Sequence, residues 1–368
     1  MATRSVESPN GTVDDERVTA PSARPRASTH QRFRLAVVVV SGVVAIVGSI
    51  LLATHRSSEK VNAPTGSTLA PALPPGGKVV ARIRIGRANP ALGHNGGGAL
   101  AVGEGAVWAM SDAKATLMRI DPARNAVVAR IKVAPPEVAV AGDGAVWLSN
   151  PSENTVSRVD PGTNRVTATI HVGPHPEGIA VSPGAVWVVN AGDPSVSRID
   201  PATNRVVATI RVGPKGDCCA EHTNVIASPR AVWVALMNGQ SIVRLDPATN
   251  SVVATARIGY PPCGFLAADE TGVWSTGACG GDVVARVDSR TNKLTTRVAE
   301  LYPVGIEVAF GSVWVALGSG NVDQIDPHSG RLVARLHIVG LPVRLGVGFG
   351  SVWVNDDFGR VLRIKPQR

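Results

Sequence analysis

Acidic and histidine side chains recur shortly before several apolar segments of the chain, where a folded sheet could bring them together. A carboxylate held beside a histidine can coordinate a divalent cation or transfer a proton. Such residues could equally do no more than solvate the rim of the fold, since the sequence shows no pairing geometry between them. The candidate binding residues are Asn95, Glu137, His175, Glu177, His222 and Tyr302, with His94 beside the first of them.

The four cysteines, Cys218, Cys219, Cys263 and Cys279, form a second candidate group. Outside the cytoplasm disulfides are the default, for example Cys219–Cys263 with Cys218–Cys279, and a vicinal Cys218–Cys219 bond is an alternative. A metal site built from Cys219, His222, Cys263 and Cys279 is a third interpretation. Its spacing is not that of a zinc motif, so disulfides are favoured and no metal ligand is assigned.

Sequence motifs for several enzyme classes are absent. The chain has no Gly-x-Ser-x-Gly elbow, no phosphate-binding loop and no tight His/Asp metal triad. Its 368 residues include 39 Gly and 27 Pro but only 5 Phe and 2 Tyr, with 44% hydrophobic and 18% charged residues. This balance excludes a disordered or coiled-coil chain and favours an all-β protein with short strands.

A repeat of about 40 residues positions the candidate residues. Each tryptophan follows a valine, and successive tryptophans are 39 to 46 residues apart: Trp108, Trp147, Trp187, Trp233, Trp274, Trp314 and Trp353. About twelve residues after each comes a second signature, most often Arg-Ile-Asp-Pro-x-x-Asn. The apolar segments between the turns predict four strands per unit. Seven such units predict a seven-bladed β-propeller.

The first and last segments of the repeat region are complementary. The last unit stops after its third strand, and residues 78–86, KVVARIRIG, resemble the fourth strand of the other units, such as RVVATIRVG. We therefore expect residues 78–86 to complete the seventh blade and to close the ring. The candidate residues precede the innermost strands, so they should surround the funnel at one end of the central channel.

The recurrent residues suggest structural roles. The tryptophans should fill the wedges between blades, although they could serve as stacking platforms for sugars. The arginine two residues before each aspartate should pair with that aspartate or cover the blade with its stem, although it could bind phosphate. In the turn, the aspartate should accept bonds from backbone N–H groups and the asparagine should adopt a left-handed conformation, for which Gly330 substitutes in the sixth copy.

The N-terminal part of the chain predicts a membrane anchor. Residues 35–53 are 19 uncharged residues, LAVVVVSGVVAIVGSILLA, preceded by arginines at 24, 26, 32 and 34. The length fits a single transmembrane signal anchor with a cytoplasmic N-terminus, although cleavage after Ala53 is an alternative. The predicted organisation is a disordered cytoplasmic segment (1–34), the anchor (35–53), a Pro/Ser-rich linker (54–77) and an extracytoplasmic propeller (78–368) at the plasma membrane.

The charge of the propeller region is modest. The whole chain carries 37 basic and 28 acidic residues, a formal net charge of +9. The excess is spread along the chain without a dense basic run. We therefore expect no nucleic-acid partner, and the basic balance is weak support for anionic partners in the wall or membrane.

The run PEGIAV, AVWVVN, VSRIDPATNRVVATIRVG, which begins at Pro176, resembles the YVTN and virginiamycin B lyase-like β-propellers, relatives of the NHL-repeat type. The resemblance covers residues 78–368. It implies seven blades and, for the lyases, a magnesium site of Glu and His residues that opens a cyclic depsipeptide by elimination. The lyases usually have acidic residues at the end of each second strand and a Glu-x-His on an inner strand.

This chain departs from the lyase pattern. Its second strands end in Asn150, Asn190, Met237, Thr276, Leu317 and Asn355. It has no Glu-x-His, and His175-Pro176-Glu177 has the reverse order, so no catalytic residue is carried over. The sequence favours a monomeric module without a cofactor, which binds a small molecule, a cell-wall component or a protein at the funnel. A lyase or lactone-type enzyme that uses a divalent cation such as Mg²⁺ is the alternative.

Overall fold

The computed structural model describes residues 73–86, 99–111, 115–214, 224–228, 230–277, 282–300 and 302–367. They belong to one compact unit, Pro71–Arg368. Within these ranges the chain forms 28 strands, which pair into seven four-stranded antiparallel sheets. The predicted seven-bladed β-propeller is therefore confirmed.

The strands follow the repeat closely. The first three blades contain β2 (Leu100–Gly103), β3 (Ala106–Ser111), β4 (Thr116–Asp121) and β5 (Ala126–Lys132); β6 (Ala139–Gly142), β7 (Ala145–Asn150), β8 (Thr155–Asp160) and β9 (Arg165–His171); and β10 (Pro176–Ser182), β11 (Ala185–Asn190), β12 (Ser195–Asp200) and β13 (Arg205–Arg211). A short 3-10 helix, Pro151–Glu153, lies between β7 and β8.

The next three blades contain β14 (Val225–Ala227), β15 (Val232–Leu236), β16 (Ser241–Asp246) and β17 (Ser251–Arg257); β18 (Leu266–Ala268), β19 (Gly272–Gly277), β20 (Val283–Asp288) and β21 (Leu294–Ala299); and β22 (Pro303–Ala309), β23 (Ser312–Leu317), β24 (Asn321–Ile325) and β25 (Leu332–His337). Blade seven contains β26 (Pro342–Gly348), β27 (Ser351–Asp356), β28 (Arg360–Pro366) and β1 (Gly77–Arg84).

The pairing of β1 with β28 closes the ring. The two strands are antiparallel, with Gly77 opposite Pro366 and Arg84 opposite Arg360. The first described strand thus supplies the outer strand of the last blade, as the sequence predicted. No other strand of blade seven could fill this position, because β26, β27 and β28 already occupy the inner three.

The tryptophans pack between neighbouring blades. All seven are buried. Trp187 of blade three lies in one apolar cluster with Val225 and Val234 of blade four, and Trp353 of blade seven lies in another with Leu100 and Val107 of blade one. Their burial confirms the predicted wedge role and excludes the role of stacking platforms for sugars.

The repeated arginine is the main correction to the sequence prediction. It does not pair with the aspartate two residues later. Arg158 instead lies over its cross-strand partner Trp147, 5.2 Å from the ring centroid, and its Nη1 donates to the Pro201 carbonyl and to Asn204 Oδ1, both at 2.8 Å. Pro201 and Asn204 belong to the turn of the next blade. In most blades the arginine therefore joins its blade to the next one, because it reaches across the interface that the tryptophan fills.

The Asp-Pro turn behaves as predicted. Asp160 Oδ1 accepts bonds from the backbone N–H groups of Gly162 and Thr163, at 2.7 and 3.0 Å. These bonds stabilise the ionised carboxylate and lower the pKa of Asp160. The asparagine at the end of the turn adopts a left-handed conformation, with φ 56° at Asn164, and Gly330 replaces it in blade six with φ 67°.

The propeller has two distinct faces. The upper face carries the loops from each outer strand to the next inner strand and the turns between second and third strands. The lower face carries the hairpins between first and second strands and the Asp-Pro turns. Gly77 and Pro366, which pair at one end of blade seven, lie at the lower face. The chain therefore joins the propeller on the side opposite the funnel loops.

The predicted anchor at 35–53, the segment 1–34 and nearly all of the linker lie outside the described residues. Among the residues that the structure does describe, no helix has the length and apolar character needed to cross a membrane.

Candidate functional site

The inner strands of all seven blades line one cavity on the propeller axis, with a volume of about 200 Å³. We refer to it as the axial cavity. Its walls are mostly apolar, since alanine, valine, leucine and isoleucine side chains dominate the inner strands. Three lining residues carry polar side chains, Asn224, Glu307 and Arg344. The chemistry of the axis must come from these three residues and their neighbours.

Arg344 on β26 bridges three blades that are not adjacent. Its Nη2 donates to the backbone carbonyl of Glu137 in blade two at 3.1 Å and lies 3.5 Å from Glu137 Oε1. The guanidinium also stacks on Phe265 of blade five, 4.3 Å from the ring centroid. Only 11% of the Arg344 side chain is exposed. The side chain therefore spans the upper end of the axial cavity.

Glu307 on β22 brings a carboxyl group to the wall of the axial cavity. It stands opposite Trp314 in the sheet. No hydrogen bond or ion pair is formed by its side chain with any residue that the structure describes. Because the ring encloses it without a counter-charge, burial raises its pKa to about 8. The free protein thus keeps this carboxyl largely protonated at neutral pH.

His175 and Glu177, two of the candidate residues, lie together at the upper rim. His175 Nδ1 is 3.4 Å from Glu177 Oε1, and the Glu177 side chain is 5% exposed whereas that of His175 is 53% exposed. Ser149 of blade two donates from Oγ to the Glu177 carbonyl at 2.7 Å. Glu137 and Glu177 each precede their tryptophan by ten residues, so they occupy equivalent positions in adjacent blades.

The other predicted residues are not brought to one point. Tyr302 adopts φ 55°, and its backbone N–H donates to Asp282 Oδ1 at 3.0 Å. Its ring packs against Gly318, where an added Cβ would lie 2.1 Å from Tyr302 Cδ1. Tyr302 therefore supports the turn of blade six at the upper face. Asn95, His94 and His222 lie outside the described residues.

Cys263 is disulfide-bonded and buried. The other cysteines of the chain, Cys218, Cys219 and Cys279, lie outside the described residues, so the pairing itself stays a prediction.

The described residues offer no conventional metal site. Among them, no group of three or more His, Cys, Asp or Glu side chains is close enough to hold a metal ion. Two of the strand-end asparagines have structural roles instead. Asn150 and Asn190 are buried, and their Nδ2 groups donate to hydroxyls of the adjoining third strand, at 2.9 to 3.0 Å.

Sequence reasoning missed Arg344, Phe265 and Glu307, although the repeat contained a signal for them. Aligned on the tryptophans, Glu307 shares its position with residues that are small or aliphatic: Ala101, Val140, Ala180, Ile226, Ala267 and Gly346. Arg344 shares its position with Ala99, Val138, Gly178, Asn224, Phe265 and Gly305. The two charged residues thus break the repeat inside strands, whereas the predicted candidates were sought in the loops before them.

Comparison with known proteins supports the same architecture. Neither a protein-family model nor a curated protein sequence matches this chain. Among solved structures, virginiamycin B lyase from Staphylococcus aureus aligns with a TM-score of 0.64 at 13% identity, covering 79% of this chain and 100% of the lyase. The likeness is one of fold. It confirms, at that level, the resemblance to virginiamycin B lyase-like propellers.

Two further structures align less extensively. BamB from Moraxella catarrhalis gives a TM-score of 0.54 at 16% identity, over 73% of this chain and 82% of BamB. Hydrazine synthase from Kuenenia stuttgartiensis gives 0.51 at 18% identity, over 60% of this chain and 73% of that chain. Proteins with such different names share this architecture, so the fold does not select an activity.

Proposed function

We propose that this protein is a membrane-anchored extracytoplasmic recognition module, which binds a small molecule, a cell-wall component or a protein through the upper face of its propeller. The observation that carries the proposal is a charged residue at the axis, Arg344, at a position where the other six blades have uncharged residues. Arg344, Glu137 and Phe265 form a cation–aromatic–carboxylate group across the upper end of the axial cavity. Paired arginine and aromatic side chains are typical of recognition surfaces.

Two exposed phenylalanines allow a matched test of this proposal. Phe358, 43% exposed, lies in the turn between β27 and β28 at the upper face, and Phe310, 49% exposed, lies in a hairpin at the lower face. Each is replaced in the full chain by a photoreactive phenylalanine analogue, and cells are irradiated. We expect specific adducts from position 358 and none from 310. Adducts from position 310 alone, or equally from both, would contradict recognition through the upper face.

A metal-dependent lyase is the second candidate function. Its supporting observation is the carboxylate and histidine pair of Glu177 and His175, in the blade next to Glu137. If a divalent cation binds there, Mg²⁺, Mn²⁺ or Ca²⁺ should raise the melting temperature of the full chain by several degrees, reversibly with EDTA. The effect should disappear in Glu177→Ala and His175→Ala. An unchanged melting temperature would leave the recognition module as the better proposal.

A further inference from the structure

Among the described residues that line the axial cavity, Glu307 has no cationic partner. Two ionisable groups line it, Arg344 and Glu307, among the residues that the structure describes. Arg344 is already paired with Glu137 and stacked on Phe265. Glu307 is left without a counter-charge, and its protonation at neutral pH, reflected in a pKa of about 8, removes the imbalance in the free protein.

The residues beside Glu307 in its sheet and at the equivalent positions of the adjacent inner strands are uncharged. Its cross-strand partner is Trp314, and the equivalent positions of the two adjacent inner strands are Ala267 on β18 and Gly346 on β26. Small residues at these positions leave space in front of the carboxyl group. Arg344 lies two residue positions nearer the upper face and is engaged there.

The walls select an organic cation over a metal ion. A hard cation such as Ca²⁺ or Mg²⁺ needs several oxygen ligands, whereas the axial cavity offers one carboxylate and the Asn224 amide, beside the Arg344 guanidinium and among otherwise apolar side chains. Apolar walls favour apolar ligand atoms, and a volume of about 200 Å³ is enough for a molecule of roughly six to ten non-hydrogen atoms. A carboxylate in such a chamber forms a strong charge-assisted bond with an ammonium group.

We propose that the axial cavity binds a small organic ammonium ion, whose apolar part fills the chamber and whose nitrogen pairs with the carboxylate of Glu307. Binding is independent of recognition at the upper face. It exchanges the proton of Glu307 for the ligand cation, so the ligand binds with release of that proton to solvent.

Isothermal titration of the detergent-solubilised full chain with n-hexylamine tests the proposal. The matched ligand controls are n-hexanol, which has the same chain without the charge, and ammonium chloride, which has the charge without the chain. We expect n-hexylammonium to bind at least tenfold more tightly than either control. We also expect Glu307→Gln to weaken n-hexylammonium binding at least tenfold and to leave the weak n-hexanol binding unchanged.

Proton release provides a measurement that needs no variant. In two buffers of different ionisation enthalpy at pH 7, the wild-type protein should release about one proton per n-hexylammonium bound. Between pH 7 and pH 9 the affinity should rise by about tenfold, because Glu307 loses its proton while the amine keeps its charge. Near-UV circular dichroism of the buried tryptophans confirms that Glu307→Gln is folded.

Four results would overturn the proposal: no detectable binding of n-hexylammonium at millimolar concentration, equal binding of n-hexanol, equal binding of ammonium chloride, or undiminished binding to folded Glu307→Gln.

Discussion

At the residue scale, Arg344 connects parts of the ring that no backbone hydrogen bond joins. Blades two, five and seven do not neighbour one another, yet Glu137, Phe265 and Arg344 meet at the axis. A guanidinium can do this because its plane stacks on a ring while its edge donates hydrogen bonds. Lysine would retain the charge but lose the stacking.

We predict that Arg344 and Glu137 are energetically coupled. In a double-mutant cycle with Arg344→Met and Glu137→Gln, the coupling should be about 0.5–1 kcal/mol, because Glu137 is 37% exposed and solvent weakens the ion pair. Urea unfolding of the four proteins measures it. Arg344→Lys should retain part of the coupling, and fully additive effects would show that the contact contributes nothing.

The carboxyl of Glu307 at the axial cavity predicts the pH dependence of stability. Its pKa is raised to about 8 in the folded protein, so the folded state binds more protons than the unfolded state, and its contribution is lost as pH rises through 8. Glu307→Gln should therefore have little effect near pH 5 and should stabilise at pH 9 by on the order of a few kcal/mol.

Thermal denaturation at pH 5, 7 and 9 tests this prediction. Glu300, whose pKa burial and the nearby Asp323 raise to about 7, contributes with the same sign in both proteins, so the difference between them isolates Glu307. A constant difference in melting temperature across this range would contradict the prediction.

At the element scale, the arginine contact between blades depends on what the next blade offers. Arg286 of blade five has no asparagine opposite it, because Gly330 ends the turn of blade six, and it bonds Thr271 of its own blade. Blade six carries Gln324 at the same position, whose Nε2 donates to the Gly76 carbonyl. Blade seven has no Asp-Pro turn, because β1 supplies its outer strand. The residue at this position in blade six, Gln324, therefore has no turn asparagine to contact and bonds Gly76 instead.

The turn asparagine has two roles that substitutions can separate. Asn204 holds φ 55° and accepts a hydrogen bond from Arg158. Asn204→Gly keeps the left-handed conformation and loses the acceptor, so we expect a loss of about 0.5–1 kcal/mol. Asn204→Ala loses both and should cost about 1 kcal/mol more. Chemical denaturation measures the free energy of unfolding of the two variants and shows which one loses more. Equal losses would show that backbone conformation is unimportant at this position.

Two hairpins at the lower face carry phenylalanine in a left-handed conformation, Phe310 with φ 53° and Phe349 with φ 53°. The equivalent Asp143 of blade two, with φ 56°, accepts a hydrogen bond from the Gly184 N–H of blade three at 2.8 Å. Bulky residues are uncommon in this region of backbone conformation. These two hairpins are therefore expected to be less stable locally than the equivalent hairpin that carries Asp143.

We predict that Phe310→Asp stabilises the propeller by about 1 kcal/mol, since aspartate tolerates the conformation and can accept a bond from the Gly350 N–H of the next blade. Differential scanning calorimetry should show a higher melting temperature. The control Phe310→Val, which is β-branched, should lower it. A decrease with aspartate would show that the phenylalanine ring contributes packing that outweighs its backbone cost.

At the scale of the whole molecule, the fold was predictable because its signals repeat. Seven Val-Trp pairs and the turns after them specify strand number, and the incomplete last unit specifies closure. The contacts of the axial residues were not predictable in the same way. Arg344 and Glu137 are 207 residues apart in the sequence, and only the curvature of the ring brings them together. The partner of Arg158 was missed for a related reason, since it belongs to the next blade.

Ring closure yields a prediction for the intact chain. Deleting residues 77–86 removes β1 and leaves β28 with an unpaired edge, so we expect loss of the cooperative unfolding transition or a fall of many degrees in melting temperature. The control deletes ten residues of the predicted linker, 54–63, and should leave the transition unchanged. An unaltered transition without β1 would mean that the ring is held shut by the contacts of the three remaining strands alone.

The seam between β1 and β28 also determines the order in which the polypeptide can mature. β1 is synthesised first among the strands and finds its partner only after residue 360 has been made, so the longest loop closure of the domain comes last. A ribosome that stalls, or a protease that cuts late in the sequence, would leave that first strand exposed and unmatched. Only a chain that includes β28 can therefore pair β1 and close the ring.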